Sequence, residues 1–220
     1  MKAVDAATMR EIDLKARDIF GIPEILLMES AGRETAETVG GMLRAKEGKI
    51  AFFCGKGNNG GDGFVAARYC FDQKMPIVVF FIGQKESLKD SARVNFEILS
   101  RLGCQIHETT EEENLKKLVQ KTGPLALSVD ALLGIGLAGE VKTPYSMAIQ
   151  AVNRLDCPVL AVDIPSGLCA TTGKILGCCV KADRTVTFGL PKKGFYIGEG
   201  PSVTGKVIVK NIGYPEVLLS

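Results

Sequence analysis

The chain has 220 residues, 46% hydrophobic and 24% charged, with a formal net charge of +2. That length suits one large domain, taken here as residues 1–220, with an apolar core and a solvated surface. The small charge, the lack of any basic run, the absence of Trp and the sparse aromatics exclude a nucleic-acid or anionic-membrane binder.

The N-terminal stretch predicts an amphipathic helix over 5–20, with Ile12, Ala16 and Ile19 on one face. Gly21, Ile22 and Pro23 break it, and a second helix runs from Pro23 to about Val39, with the pair Gly40–Gly41 after its end. The pattern then changes to short apolar runs: Ile50–Cys54, Ile77–Ile82, Cys104–His107, Leu125–Val129 and Val159–Val162 read as strands. Helices are expected between them at Gly61–Phe71, Ser87–Leu102, Glu111–Gln120 and Ser146–Arg154. Arg184–Phe188 and Lys206–Val209 read as two further strands. Continuously apolar strands alternating with helices predict a Rossmann-like three-layer αβα sandwich: a mostly parallel central sheet with an N-terminal helical extension. In such folds ligands bind beyond the carboxyl ends of the strands.

Four segments fall at those ends: residues 55–63, 130–137, 163–167 and 189–194. After the first strand, residues 55–63 hold five glycines in nine residues and run into a helix. Free backbone N–H groups and the helix dipole there favour a phosphate, although glycines also serve tight turns. Gly55, Gly57 and Gly60 match G-x-G-x-x-G, but the next strand ends in Ile82-Gly83-Gln84-Lys85 without the acidic residue that would hold a ribose. No Gly-Lys-Ser/Thr closes a Walker loop. Asp130 follows the fourth strand and Asp163 the fifth. A carboxylate ending a buried strand is costly unless it is paired, caps a turn or meets a cation. Two of them in one crevice, with Asn59 and Ser166 adding neutral oxygens, suit a hard alkali or alkaline-earth ion and general acid–base work. Ser166 has no histidine partner and no G-x-S-x-G elbow. Lys85 and Lys192 are read as solvated surface charges rather than contacts for a 2′-phosphate.

The seven cysteines (Cys54, Cys70, Cys104, Cys157, Cys169, Cys178 and Cys179) form no CxxC pair, and the sole histidine, His107, lies outside these loops. A structural zinc needs about four closely spaced ligands, so zinc is not expected. Reduced, core-packed thiols fit a cytosolic location, with the vicinal Cys178–Cys179 as a redox-sensitive exception. His107 is read as a surface or packing residue. The charged N-terminus has no apolar segment typical of a signal peptide, and no stretch reaches the roughly 18 apolar residues of a membrane span.

At these residues the sequence resembles the NAD(P)H-hydrate epimerases. The matching pieces are GKGNNGGDGFVAARYC at 55–70, VDALLGIGLAGE at 129–140 and VDIPSGL at 162–168. VDAATMREIDLKA, IPEILLMESAG at 22–32 and FGLPKKG at 188–194 support them. The resemblance implies that hydrated NADH or NADPH is epimerised at its C6 hydroxyl carbon without redox change. It implies that Asn58, Asn59, Gly60, Gly61 and Asp62 contact the dinucleotide. The stretch Gly134, Ile135, Gly136, Leu137, Ala138, Gly139 and Glu140 would bind its phosphates, and Asp163 would meet the hydrated nicotinamide as catalytic acid–base. One potassium ion per subunit would be held by Asn59, Asp130 and Ser166. The family is commonly a homodimer and occurs alone or fused to an S-specific dehydratase; Leu26, Leu27 and Met28 are the expected dimer contacts. The competing readings are an NAD(P)-dependent oxidoreductase on the same fold and a non-catalytic module that binds an ADP-ribose-like ligand or a protein.

Overall fold

The computed structural model describes residues 2–43 and 47–220. Two helices lead, α1 (Ala6–Asp18) and α2 (Glu24–Met42). Strands and helices then alternate: β1 (Lys49–Cys54), α3 (Asn58–Asp72), β2 (Ile77–Ile82), α4 (Asp90–Arg101), β3 (Ile106–Thr109), α5 (Glu112–Thr122), β4 (Leu125–Ala131), α6 (Tyr145–Asn153) and β5 (Val159–Val162). β6 (Arg184–Phe188) and β7 (Lys206–Lys210) close the sheet.

The seven strands form one sheet in the order β3-β2-β1-β4-β5-β6-β7. Every pair is parallel, so the sheet is wholly rather than mostly parallel. The chain steps outward from β1 to β3 and then returns to lay β4 on the other side of β1. The switch point therefore lies between β1 and β4, where an open α/β sheet leaves a crevice beyond its carboxyl ends.

Strand pleating explains the two apolar layers. Ile50, Phe52 and Cys54 of β1 face one way with Phe81 and Val129, and meet α1, α2, α3 and α4 through Ile12, Ala31, Phe64 and Leu99. Ala51 and Phe53 face the other way with Phe80, and meet α5 and α6 through Leu115 and Ile149. Phe64 packs edge-on to both Phe81 and Phe96, with centroids 5.6 and 5.3 Å away. Each such ring removed from water contributes roughly 1.5–3 kcal/mol. His107 stacks on Phe80 at 5.8 Å, a packing role.

Several boundaries differ from expectation. α2 continues through Gly40 and Gly41 to Met42. α3 starts at Asn58, three residues early, so most of the glycine loop is helix. Leu88 is buried in an extended conformation after a 3-10 turn, so α4 starts afresh at Asp90. β3 begins at Ile106, where pairing with Val79 starts. β4 runs through Asp130 to Ala131, so Asp130 lies within the strand. Ile19 sits beyond the last turn of α1 and is 67% exposed, not part of its buried face. Leu27 and Met28, expected at a dimer contact, are buried within the chain, and only Leu26 of that trio is exposed.

Candidate active site

The glycines of the first loop are demanded by packing. A Cβ on Gly55 would lie 2.0 Å from the Leu132 carbonyl oxygen, and one on Gly60 would lie 1.8 Å from that of Gly55. Gly63 lies against Ala131 and Cys54 in the same way. The β1 and β4 loops thus touch backbone to backbone, and α3 starts directly beneath them. Gly57 is its N-cap, with no side chain capping the first turn. The opening N–H groups of α3 are left for a ligand, an arrangement that favours an anion.

These parts surround a crevice of about 870 Å³, within the roughly 300–1,000 Å³ typical of ligand sites. Of the residues singled out from the sequence, Asn58, Asn59, Asp62, Gly134, Ile135, Gly136, Leu137, Ala138 and Asp163 line it. Asp163 and the Asn58–Asp62 turn therefore share one cavity. Gly60 and Gly61 lie behind the lining, against Gly55 and the Met28 side chain. Gly139 and Glu140 lie outside the lining, where the chain continues as Val141 N–H donating to the Leu176 carbonyl (2.9 Å).

Asp130 and Ser166 also lie outside the lining, both 0% exposed. Asp130 Oδ2 accepts from Ser166 N–H (2.8 Å), and Oδ1 accepts from Ser166 Oγ (2.6 Å) and Leu132 N–H (3.2 Å). Burial pushes the Asp130 carboxyl up to about 6, against the pull of these hydrogen bonds. Asn59 is 7% exposed, and neither side-chain atom of its amide has a hydrogen-bond partner. Such a group is expensive unless something else meets it. The Asn59 amide oxygen, the Asp130 carboxylate and the Ser166 hydroxyl are all hard oxygen donors, a chemistry that fits a hard monovalent cation.

Asp163 has φ +63°, a left-handed backbone unusual outside glycine. Its Oδ1 accepts from Lys192 Nζ (2.6 Å) and Thr187 Oγ1 (3.2 Å). The Lys192 ammonium also donates to Thr187 Oγ1 (2.6 Å) and the Phe188 carbonyl (3.1 Å). Lys192 is 1% exposed, which corrects its reading as a solvated surface charge: all three of its N–H bonds are taken inside the protein. Lys85, by contrast, is exposed and lies away from the crevice.

Sequence reasoning missed residues far along the chain. Asp13 of α1 and Tyr214 near the C-terminus line the crevice and are hydrogen-bonded, the tyrosine hydroxyl donating. Burial raises the Asp13 carboxyl, opposed by that bond. Glu24 lines it too and accepts from the Asn58 amide (2.7 Å). Arg10 donates to the Ile135 carbonyl (3.1 Å), fixing the glycine loop after β4 to α1. Asp62 is pushed well above the usual carboxylate range by burial first, then by Asp163, Glu24 and Asp13, with Lys192 offsetting part of the effect. Among the described residues, no three His, Cys, Asp or Glu side chains form a metal-holding group.

Comparison with known proteins gives a consistent picture. Residues 24–194 match the family described as YjeF-related protein N-terminus. A protein named NAD(P)H-hydrate epimerase from Elusimicrobium minutum is 37% identical over 100% of this chain and 99% of its own length. One of the same name from Weissella koreensis is 35% identical over 96% of this chain and 91% of its own. The bifunctional NAD(P)H-hydrate repair enzyme Nnr of Moorella thermoacetica is 36% identical over 100% of this chain, which spans only 42% of that protein's length. The solved structure of yeast ynu0 shares the fold, with a TM-score of 0.80 at 23% identity, covering 96% of this chain and 88% of that one.

Proposed function

The chain belongs to the YjeF-related protein N-terminus family, and from that premise we propose that it is an NAD(P)H-hydrate epimerase, an isomerase that interconverts the R and S forms of hydrated NADH or NADPH. The observation that carries the reading is the shared cavity: Asp163 lies in the same crevice as the Asn58–Asp62 turn. The free N–H groups at the start of α3 and the backbone of Gly134–Ala138 take the pyrophosphate. Nucleotide binding thereby brings the hydrated nicotinamide to the carboxyls.

The chemistry asks for little. The hydroxyl-bearing C6 is bonded to the ring nitrogen and is therefore a carbinolamine. A carboxyl group protonates the hydroxyl, the nitrogen lone pair expels it as water, and the planar cation accepts water on either face. No electron leaves the ring, so no redox partner is needed. Asp163 serves as an acid–base group of this site, and such assistance is typically worth about 100- to 10,000-fold. The carboxylates around the crevice favour the cationic intermediate.

Asn59, Asp130 and Ser166 would hold one potassium ion per subunit, neutralising the buried Asp130 charge and occupying the Asn59 amide oxygen. Bound there, the ion would supply a fixed positive charge. The working unit is a cytoplasmic homodimer formed through the N-terminal helices. Support comes from the exposed apolar side chains Leu14, Ile19, Phe20, Ile25 and Leu26. Among the described residues no helix is long and apolar enough to cross a membrane. The functional partner is an S-specific dehydratase, which the bifunctional relatives would carry in the same chain.

The test supplies the purified R epimer to an S-specific dehydratase with and without this protein. Faster consumption of the R epimer is the expected result. An unchanged rate removes the epimerase reading.

A further inference from the structure

Four carboxyl groups line the crevice: Asp13 from α1, Glu24 from α2, Asp62 from α3 and Asp163 from the loop after β5. Three of them accept a hydrogen bond from a protein group. Asp13 takes the Tyr214 hydroxyl, Glu24 the Asn58 amide, and Asp163 the Lys192 ammonium and Thr187 hydroxyl. Asp62 alone has no hydrogen-bond or ion-pair partner among the described residues. The Lys192 ammonium is already spent on Asp163, Thr187 and Phe188. Of the other cations in the lining, Arg10 is held by the Ile135 carbonyl and Arg17 by Asp18, while Lys56 makes no ion pair with Asp62 among the described residues.

We propose that the crevice divides the proton work between two carboxyls: Asp62 donates the proton that leaves with the substrate hydroxyl, and Asp163, held by Lys192, accepts the proton of the returning water. This rests on the epimerase reading.

An anionic Asp62 would have no hydrogen-bond donor among the described residues and three other carboxyls around it. Its acid form needs only an acceptor, which the substrate hydroxyl provides. Asp163 is placed in the opposite way. Its Oδ1 is filled by donors, while its Oδ2 accepts from no described residue, and the side chain keeps 15% exposure. That leaves one carboxylate oxygen for an incoming water. Neighbouring carboxyls in opposite protonation states are how sites assign acid and base roles. The raised titration of Asp62 described above points the same way.

The step balances. Asp62 gives its proton to the C6 hydroxyl, the C6–O bond breaks with its electron pair going to the departing water, and the nitrogen lone pair closes a C=N bond. Water then forms a new C6–O bond on the other face, the C=N pair returns to nitrogen, and Asp163 Oδ2 takes the surplus proton. Transfer of that proton back to Asp62 through crevice water resets the site. Lys192 is a positioning residue, touching Asp163 rather than substrate.

The test measures kcat and KM against pH for the full chain, resolving the two epimers by chromatography. Asp62→Asn is expected to lower kcat by about 100- to 10,000-fold with KM little changed. It should also abolish the fall in activity at alkaline pH that deprotonation of the donor causes. Asp163→Asn should lower kcat yet keep that alkaline limb. An Asp62→Asn enzyme within tenfold of wild type, with the limb intact, overturns the proposal alone. A wild type that epimerises nothing overturns the functional reading and the proposal together. Should Asp62→Asn fail to fold, carbon-13 titration of the wild-type Asp62 carboxyl decides. A carboxyl already ionised at neutral pH overturns the assignment, and one still protonated upholds it.

Discussion

Asp130, near the end of β4 and outside the crevice lining, and Asp163, just past β5 and within that lining, both sit at the carboxyl ends of buried parallel strands, yet their surroundings differ. Asp130 is fully covered and bonded to Ser166 and Leu132, with no lysine or arginine ion pair among the described residues. Asp163 keeps 15% exposure, is strained to φ +63° and has a buried ammonium of its own. The covered carboxylate is short of positive charge, and in the proposed function it would be the place for the potassium ion. The open one already has its counter-charge, and its second oxygen accepts from no described residue. Two aspartates that look equivalent in a motif are separated by what reaches them from elsewhere in the chain.

The largest expected effect tests the open side. Asp163→Asn keeps the shape and removes the proton acceptor, so kcat should fall by about 100- to 10,000-fold while dinucleotide binding, followed by calorimetry, is largely retained. A fully active variant would erase the distinction between the two carboxyls. The covered side should respond in stability. Replacing a large organic cation by potassium should raise the wild-type Tm by roughly 5–10 °C at a hundredfold excess over Kd. Asp130→Asn should lose that rise. Leaving the Ser166 and Leu132 donors poorly met should cost a further ~1–3 kcal/mol of folding free energy. A variant that keeps the whole potassium response would show that the ion sits elsewhere.

How much of this was legible in the sequence depends on the range of each contact. Strands buried on both faces announce themselves as unbroken apolar runs, as in IAFFC and IVVFFI. Asp163 and the Asn58–Asp62 turn were legible because each follows such a run. The start of α3 was not: Asn-Asn-Gly-Gly has poor helix propensity, and the helix exists there because Gly60 lets it press against the Gly55 backbone after β1 and Gly63 against the Cys54 and Ala131 side chains of β1 and β4. Lys192 gave no local sign of burial beside Pro191 and Lys193. Its place depends on Asp163, 29 residues earlier, and on the N-terminal arm. The Asp13–Tyr214 pair spans 201 residues, beyond any periodicity argument.

That arm supplies the smallest effect. Val4 donates to the Pro191 carbonyl (2.9 Å) and accepts from Lys193 N–H (2.7 Å), so the turn carrying Lys192 is pinned to the first residues of the chain. Asp5 adds a second tie, capping α1 by accepting from Thr8 N–H (2.9 Å) and pairing with Lys193 Nζ (3.1 Å). The Thr8 N–H chiefly, and Lys193 next, lower the Asp5 carboxyl from 3.8 to about 2. A depressed carboxyl contributes stability above its unfolded value and loses it as pH falls through the folded one. Asp5→Ala should therefore lower Tm by roughly 2–4 °C at neutral pH, and the gap from wild type should close as pH drops from about 4 towards 2. Because the Val4 backbone bonds remain, Lys192 should stay on Asp163 and kcat should change far less than in Asp163→Asn. A variant as inactive as Asp163→Asn would instead show that the Lys192–Asp163 pair depends on the side-chain tie and not on the backbone one.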